Sequence, residues 1–129
     1  MFITLPRFGT LLEALTKAGV ETKSARGWWG GVTRDDDIVV TAWIDAVAGG
    51  GRFTIFRPTT RHGGLRDMWE VGRIEPGAPV KLIIVRQRGN VPFGQEGRQV
   101  HSAGLMPGQW RICKVNGDSA IVEPVKSSD

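Results

Sequence analysis

Apolar residues recur along this chain in two different periods, and the change of period divides it. Residues 2–5 form a short apolar stretch that stops at Pro6 and predicts a strand. Thr10 and Glu13 then stand three apart, the spacing of a capping box in which hydroxyl and carboxylate each satisfy an orphan amide. Leu11, Leu12, Leu15 and Ala18 follow at helical spacing and Gly19 is a natural terminator, so a short helix lays one stripe on the core. From Gly27 the period becomes two. Residues 27–33 and 38–45 flank the polar turn Arg34, Asp35, Asp36 and Asp37, and together they predict a hairpin. In its second strand Ile38, Val40, Ala42 and Ile44 share one face while Val39, Thr41, Trp43 and Asp45 share the other. Both faces are apolar enough to need cover.

The Gly49, Gly50 and Gly51 run turns the chain into a strand over residues 53–57. Leu65, Met68, Trp69 and Gly72 return to helical spacing, ended by Pro76 and Gly77. A strand over 80–87 holds the unbroken run Leu82, Ile83, Ile84 and Val85, which marks a central strand buried on both faces. A polar loop over 89–97 leads to a short strand at 98–101, and loops of that length often carry function. Strands at 110–115 and 120–123 flank Asn116 and Gly117, the preferred type I′ pair, and Pro124 stops the second. The expectation is one mostly β, α+β domain over residues 1–125: a strongly bent antiparallel sheet or barrel of about six to seven strands with two short helices. Residues 126–129 read as a flexible tail.

Composition narrows the function classes. The 129 residues fit a single domain, and 18 Gly with 7 Pro disfavour a helical bundle. Twelve of the 17 basic residues are Arg and the net charge is +4. Arg grips phosphates and base edges with a planar fork, so this balance points towards nucleic acid. A lone Cys113 excludes an internal disulfide framework and fits a reducing cytoplasm. Pro6, Arg7 and Glu13 break any apolar run long enough for a leader or membrane span. Cys113 alternates with Ile112 and Lys114 and reads as a small buried hydrophobe, and the Asp35 to Asp37 run lacks the spacing of a calcium loop. Two His without a nearby Cys pair support no zinc site. No catalytic set, metal or cofactor is expected.

Three of the five Trp fall between residues 28 and 43. Trp28 and Trp29 are adjacent, so in a strand they point to opposite faces, and flanking glycines let a ligand or another backbone approach. The pattern Trp28, Trp29, Gly30, Gly31, Val32, an acidic turn, then Val39, Val40, Thr41, Ala42, Trp43, Ile44 and Asp45 resembles the W-S-W-G-A and V-x-L-x-V-W-x-D signature of an uncharacterised bacterial domain family. Here the Ser between the tryptophans is absent. The resemblance spans roughly residues 26–124, and the family occurs alone or near HNH-type nucleases and restriction-like systems. It implies a β-barrel and a context of modified or foreign DNA, without implying a reaction.

The leading expectation is therefore a non-enzymatic nucleic-acid-binding module, with DNA ahead of RNA as partner. Trp28, Trp29, Trp43 and Asp45 would line a pocket for a modified or extruded base. Arg26, Arg34, Arg61, His62, Arg86, Arg88 and Arg98 would contact phosphates, with Gly63 and Gly64 supplying backbone amides. The alternative is a protein-interaction module, such as a small inhibitor or accessory subunit of a phage-defence or anti-defence system, since exposed aromatics and Arg also make hot spots. An enzyme would need His62 or His101 to face Asp45 or Glu70 across a cleft.

Overall fold

The structure, a computed structural model, describes residues 6–20, 30–58, 64–92 and 98–125. The expected strand at 2–5, the tail at 126–129, and Arg26, Trp28, Trp29, Arg61, His62 and Gly63 lie outside those residues. Helix α1 (Leu11–Ala18) begins with the expected capping box: Glu13 N–H donates to Thr10 Oγ1 at 3.0 Å, and Thr10 N–H donates to Glu13 Oε1 at 3.3 Å. It ends in a Schellman arrangement, with Gly19 at φ +99° and Val20 N–H reaching Leu15 O at 2.9 Å. The buried stripe is Ala14, Leu15 and Ala18, and Leu12 faces out.

Among the described residues eight strands follow: β1 (Gly30–Val32), β2 (Ile38–Trp43), β3 (Val47–Gly49), β4 (Arg52–Phe56), β5 (Pro79–Arg88), β6 (Gln99–Leu105), β7 (Trp110–Asn116) and β8 (Ser119–Pro124). Helix α2 (Gly64–Glu70) lies between β4 and β5. The strands form one sheet in the order β1-β2-β5-β7-β8-β4-β3, and β6 pairs with β5 off that path. The sheet is mixed, because β2 and β5 pair in parallel from Ile38↔Val80 to Trp43↔Val85, whereas the other pairs are antiparallel. Antiparallel pairing throughout was expected. The excursion through β3, β4 and α2 is what returns β5 alongside β2 in the same direction. Hydrogen bonding does not close the sheet into a barrel. The chain itself turns through Ile44, Asp45 and Ala46 into β3, and Thr54 N–H donates to Ala46 O at 2.7 Å.

This curl wraps one interior, where Val40, Phe53, Leu82, Ile84, Ile112 and Val122 meet with Leu65 of α2. Val39, Ile83 and Val85 project from the other side of β2 and β5 and are covered by α1. Leu82, Ile83, Ile84 and Val85 are all fully buried, each worth about 1.5–3 kcal/mol in apolar burial. The two-sided burial expected for this run is thus met. β5 shares its second edge between two strands: β6 takes its C-terminal part and β7 pairs only with Pro79 and Val80.

Two local readings shift. The last hairpin pairs Asn116 with Ser119, so its loop is Gly117 and Asp118. Positive φ at Gly117 alone (+65°) fits a type II′ turn rather than I′. Gly30, at φ +140°, answers to the fold: a Cβ there would lie 2.2 Å from Val39 O and 3.4 Å from Leu65 Cβ. The approaching groups are thus the neighbouring strand and α2. Gly30→Ala should destabilise the chain by about 2–3 kcal/mol or more, read as a lower urea midpoint at unchanged slope.

Thr41 is 1% exposed and its Oγ1 has no hydrogen-bond partner among the described residues. A buried unsatisfied hydroxyl costs about 1–3 kcal/mol. Thr41→Val is therefore expected to raise stability by about 1 kcal/mol in the same denaturation experiment; a loss of stability would show that the hydroxyl is needed.

Candidate functional site

Parallel pairing places the C-terminal ends of β2 and β5 side by side. Trp43 lies opposite Val85, and Ile44 N–H donates to Val85 O at 2.9 Å. β5 runs on for three residues, with Arg86 opposite Ser102 and Arg88 opposite Gln99 of the antiparallel β6. Asp45, just past β2, and Arg98, just before β6, are thereby brought to the same end of the sheet.

Arg98 holds the centre of this cluster. Its Nη1 and Nη2 donate to Asp45 Oδ1 and Oδ2 at 2.7 and 2.6 Å, a bidentate fork on a carboxylate. Its Nε donates to Val91 O at 3.1 Å, and its Cζ lies 5.2 Å from the Trp43 ring centroid. The Arg98 side chain is only 6% exposed, whereas that of Asp45 is 45% exposed. The start of the following loop is fixed from the opposite side as well: Gln87 Nε2 donates to Val91 O at 2.8 Å and Val91 N–H donates back to Gln87 Oε1 at 2.9 Å. Trp43, Asp45 and Arg98 thus act as one unit, with the half-buried indole packed towards the cluster under α1.

Arg86 is held differently. Its Nε donates to Ser102 Oγ at 2.9 Å and its Cζ lies 3.9 Å from the Phe8 ring centroid. Neither partner is an acid, so these contacts orient the guanidinium without neutralising it. Arg88 is exposed beside it, and no described acid pairs with it. Elsewhere acids take up Arg: Arg57 and Arg66 meet Glu70 at 3.4 and 3.0 Å, Arg73 meets Asp36 at 2.8 Å, and Arg111 meets Glu123 at 2.8 Å.

Of the expected contacts, Trp43, Asp45, Arg86, Arg88 and Arg98 converge on one end. Arg34 does not join them. It is exposed at the β1–β2 hairpin tip, the length of β2 away, roughly 17 Å at about 3.3 Å per residue. The aspartates of that tip serve the turn: Asp36 adopts φ +68°, and Asp37 N–H donates to Thr33 Oγ1 at 3.0 Å. His101 is exposed, with Nδ1 at 3.3 Å from Ser102 Oγ, and Glu70 is engaged by arginines. Trp69 and Trp110 serve the fold, donating to Gly117 O at 3.1 Å and Pro107 O at 3.2 Å. Among the described residues no three metal-ligating side chains cluster. Phe8, Gln87, Ser102 and the Val91 carbonyl were not singled out from sequence. Only the position of Gln87 two residues beyond Val85, on the same face of the strand, gave any sign of them, since the others depend on strand register. No helix among the described residues is long and apolar enough to cross a membrane.

No protein-family model, curated protein or solved structure matches the chain.

The Arg98 fork holds the Asp45 carboxyl below its ordinary value of 3.8, opposed by partial burial, which pushes it up. A carboxyl lowered on folding stabilises the native state above its unfolded value, and that contribution is lost as pH falls through the folded one. The stability advantage of wild type over Asp45→Asn should therefore hold at neutral pH and shrink as pH drops below 3.8, measured by urea denaturation across an acid series.

Proposed function

We propose that the protein is a nucleic-acid-binding module that meets a phosphate backbone with the C-terminal end of its β2–β5 pair. One observation carries this reading: Arg86 and Arg88 stand exposed and, among the described residues, without an acid partner, at the same end of the β2–β5 pair as the Trp43–Arg98–Asp45 unit. A guanidinium pre-oriented by Ser102 and Phe8 binds phosphate with little loss of side-chain entropy. Trp43 supplies aromatic surface at the same end, as expected of a groove that combines charge with stacking.

The resemblance to the bacterial family found near HNH-type and restriction-like nucleases favours DNA over RNA, and the lone Cys113 fits a cytoplasmic setting. In this reading Trp28 and Trp29 complete a pocket with Trp43 for a modified or extruded base. Arg26, Arg61 and His62 add phosphate contacts, and Arg34 joins only for a ligand that spans β2. A second reading, as a protein-interaction module, draws on Val47 and Phe56, which are 56% and 42% exposed on the β3–β4 hairpin at the end of the sheet.

Fluorescence polarisation with single- and double-stranded DNA and RNA, at about 50 and 200 mM salt, tests the proposal. Binding is expected at low salt. Arg86→Ala with Arg88→Ala should weaken it roughly 10-fold or more and lower the slope of log K against log salt by about 1.5, with circular dichroism unchanged. Absence of binding at low salt, or an unchanged slope in the double variant, would contradict it.

A further inference from the structure

The geometry points to the Arg98 guanidinium as a phosphate site whose resident anion is the Asp45 carboxylate. It deepens the reading above and rests on it for the source of the phosphate, a nucleic-acid strand. Three observations carry it. First, the fork is fully formed: both terminal nitrogens face one carboxylate at 2.7 and 2.6 Å, and a phosphate presents two oxygens with the same complementarity. Second, burial is uneven. Arg98 is 6% exposed and locked from behind by the Val91 carbonyl and the Trp43 ring, while Asp45 is 45% exposed. The cation is therefore fixed and the anion lies on the solvent side, where a competitor arrives. Third, Asp45 lies in the turn after β2, outside both flanking strands, and its exposed carboxylate can swing out without breaking the β2–β5 ladder. The site also lies at the sheet end that carries Arg86 and Arg88.

Exchange of one anion for another keeps the buried guanidinium paired, whereas loss of Asp45 without replacement leaves two of its N–H donors without that acceptor. Asp45 thus holds the site in shape when no ligand is bound and sets a threshold that a phosphate must overcome. Two different experimental responses should follow from removing the carboxylate: lower stability in chloride, and a stronger response to phosphate.

The test is thermal unfolding of the full chain in inorganic phosphate against chloride at matched ionic strength. Phosphate should raise the Tm of Asp45→Ala by about 3–5 °C more than that of wild type, and the excess should vanish in Asp45→Ala with Arg98→Met. Asp45→Asn, which keeps one acceptor, serves in the same comparison if the alanine variant does not fold. Equal phosphate shifts in wild type and the Asp45 variants, or an excess that survives loss of Arg98, would overturn the inference. A second arm identifies the source by polarisation with a single-stranded oligonucleotide. Asp45→Ala should bind at least as tightly as wild type, with a salt slope steeper by about 0.7. Weaker binding with a shallower slope would make Asp45 a support for the site rather than a competitor in it. If phosphate selectively stabilises the Asp45 variants while no oligonucleotide binds any form, the anion site stands and the nucleic-acid reading falls. If wild type binds through Arg86 and Arg88 while phosphate does not discriminate, this inference falls alone.

Discussion

The parallel ladder between β2 and β5 is the constraint on which the rest of the molecule depends. Two strands buried on both faces need cover on both sides, and each available element supplies part of it. The curl through β4, β7 and β8, with α2, closes over Val40, Leu82 and Ile84, while α1 closes over Val39, Ile83 and Val85. The N-terminal segment is bound into the same cover. Gly9 and Ala103 exchange two backbone hydrogen bonds of 2.8 Å, and a Cβ at Gly104 would lie 2.6 Å from Pro6 Cγ. Because the two strands run the same way, their C-terminal ends coincide, and the side chains just beyond the apolar run share one rim.

That arrangement gives the arginines different roles. A net charge of +4 says little about binding, because Arg57, Arg66, Arg73 and Arg111 meet acids on their own surface. Such exposed pairs contribute about 0–1 kcal/mol each and chiefly neutralise. Arg98 is held in a nearly buried fork with Asp45. Arg86 and Arg88 remain as oriented or exposed charge, and the proposed function lies in that contrast. Bulk composition and local position thus differ in meaning: the same side chain is paired where an acid faces it and keeps its charge where a ring or hydroxyl does.

Much of the fold was legible in the chain because its signals are local. Thr10 and Glu13 mark the start of α1, Gly19 its end, and the Leu82 to Val85 run marks the strand covered on both sides. What escaped depends on partners distant in sequence. The direction of β5 relative to β2 follows from the path between them, and no residue in either strand encodes it. β3, only three residues long and ending in Gly49, has no period to detect. The outward turn of Leu12 reflects how α1 seats on β6, and the one-residue shift of the last hairpin reflects register with Ser119. At the site, residue types were informative and pairing was not. Trp43, Asp45 and Arg98 all stood out as candidates, yet their union into one unit rests on a contact 53 residues apart in sequence. Arg34 stood out equally and lies at the other end of β2.

Hydrogen–deuterium exchange of the whole chain with and without a single-stranded DNA oligonucleotide tests most directly the claim that one end of the β2–β5 pair is the binding end. Peptides covering residues 43–46, 86–91 and 98–102 should slow on addition of the strand, while those covering 33–38 and 107–111 should not change. Protection confined to the 33–38 hairpin tip or the 107–111 turn, with 86–91 and 98–102 unaffected, would contradict it.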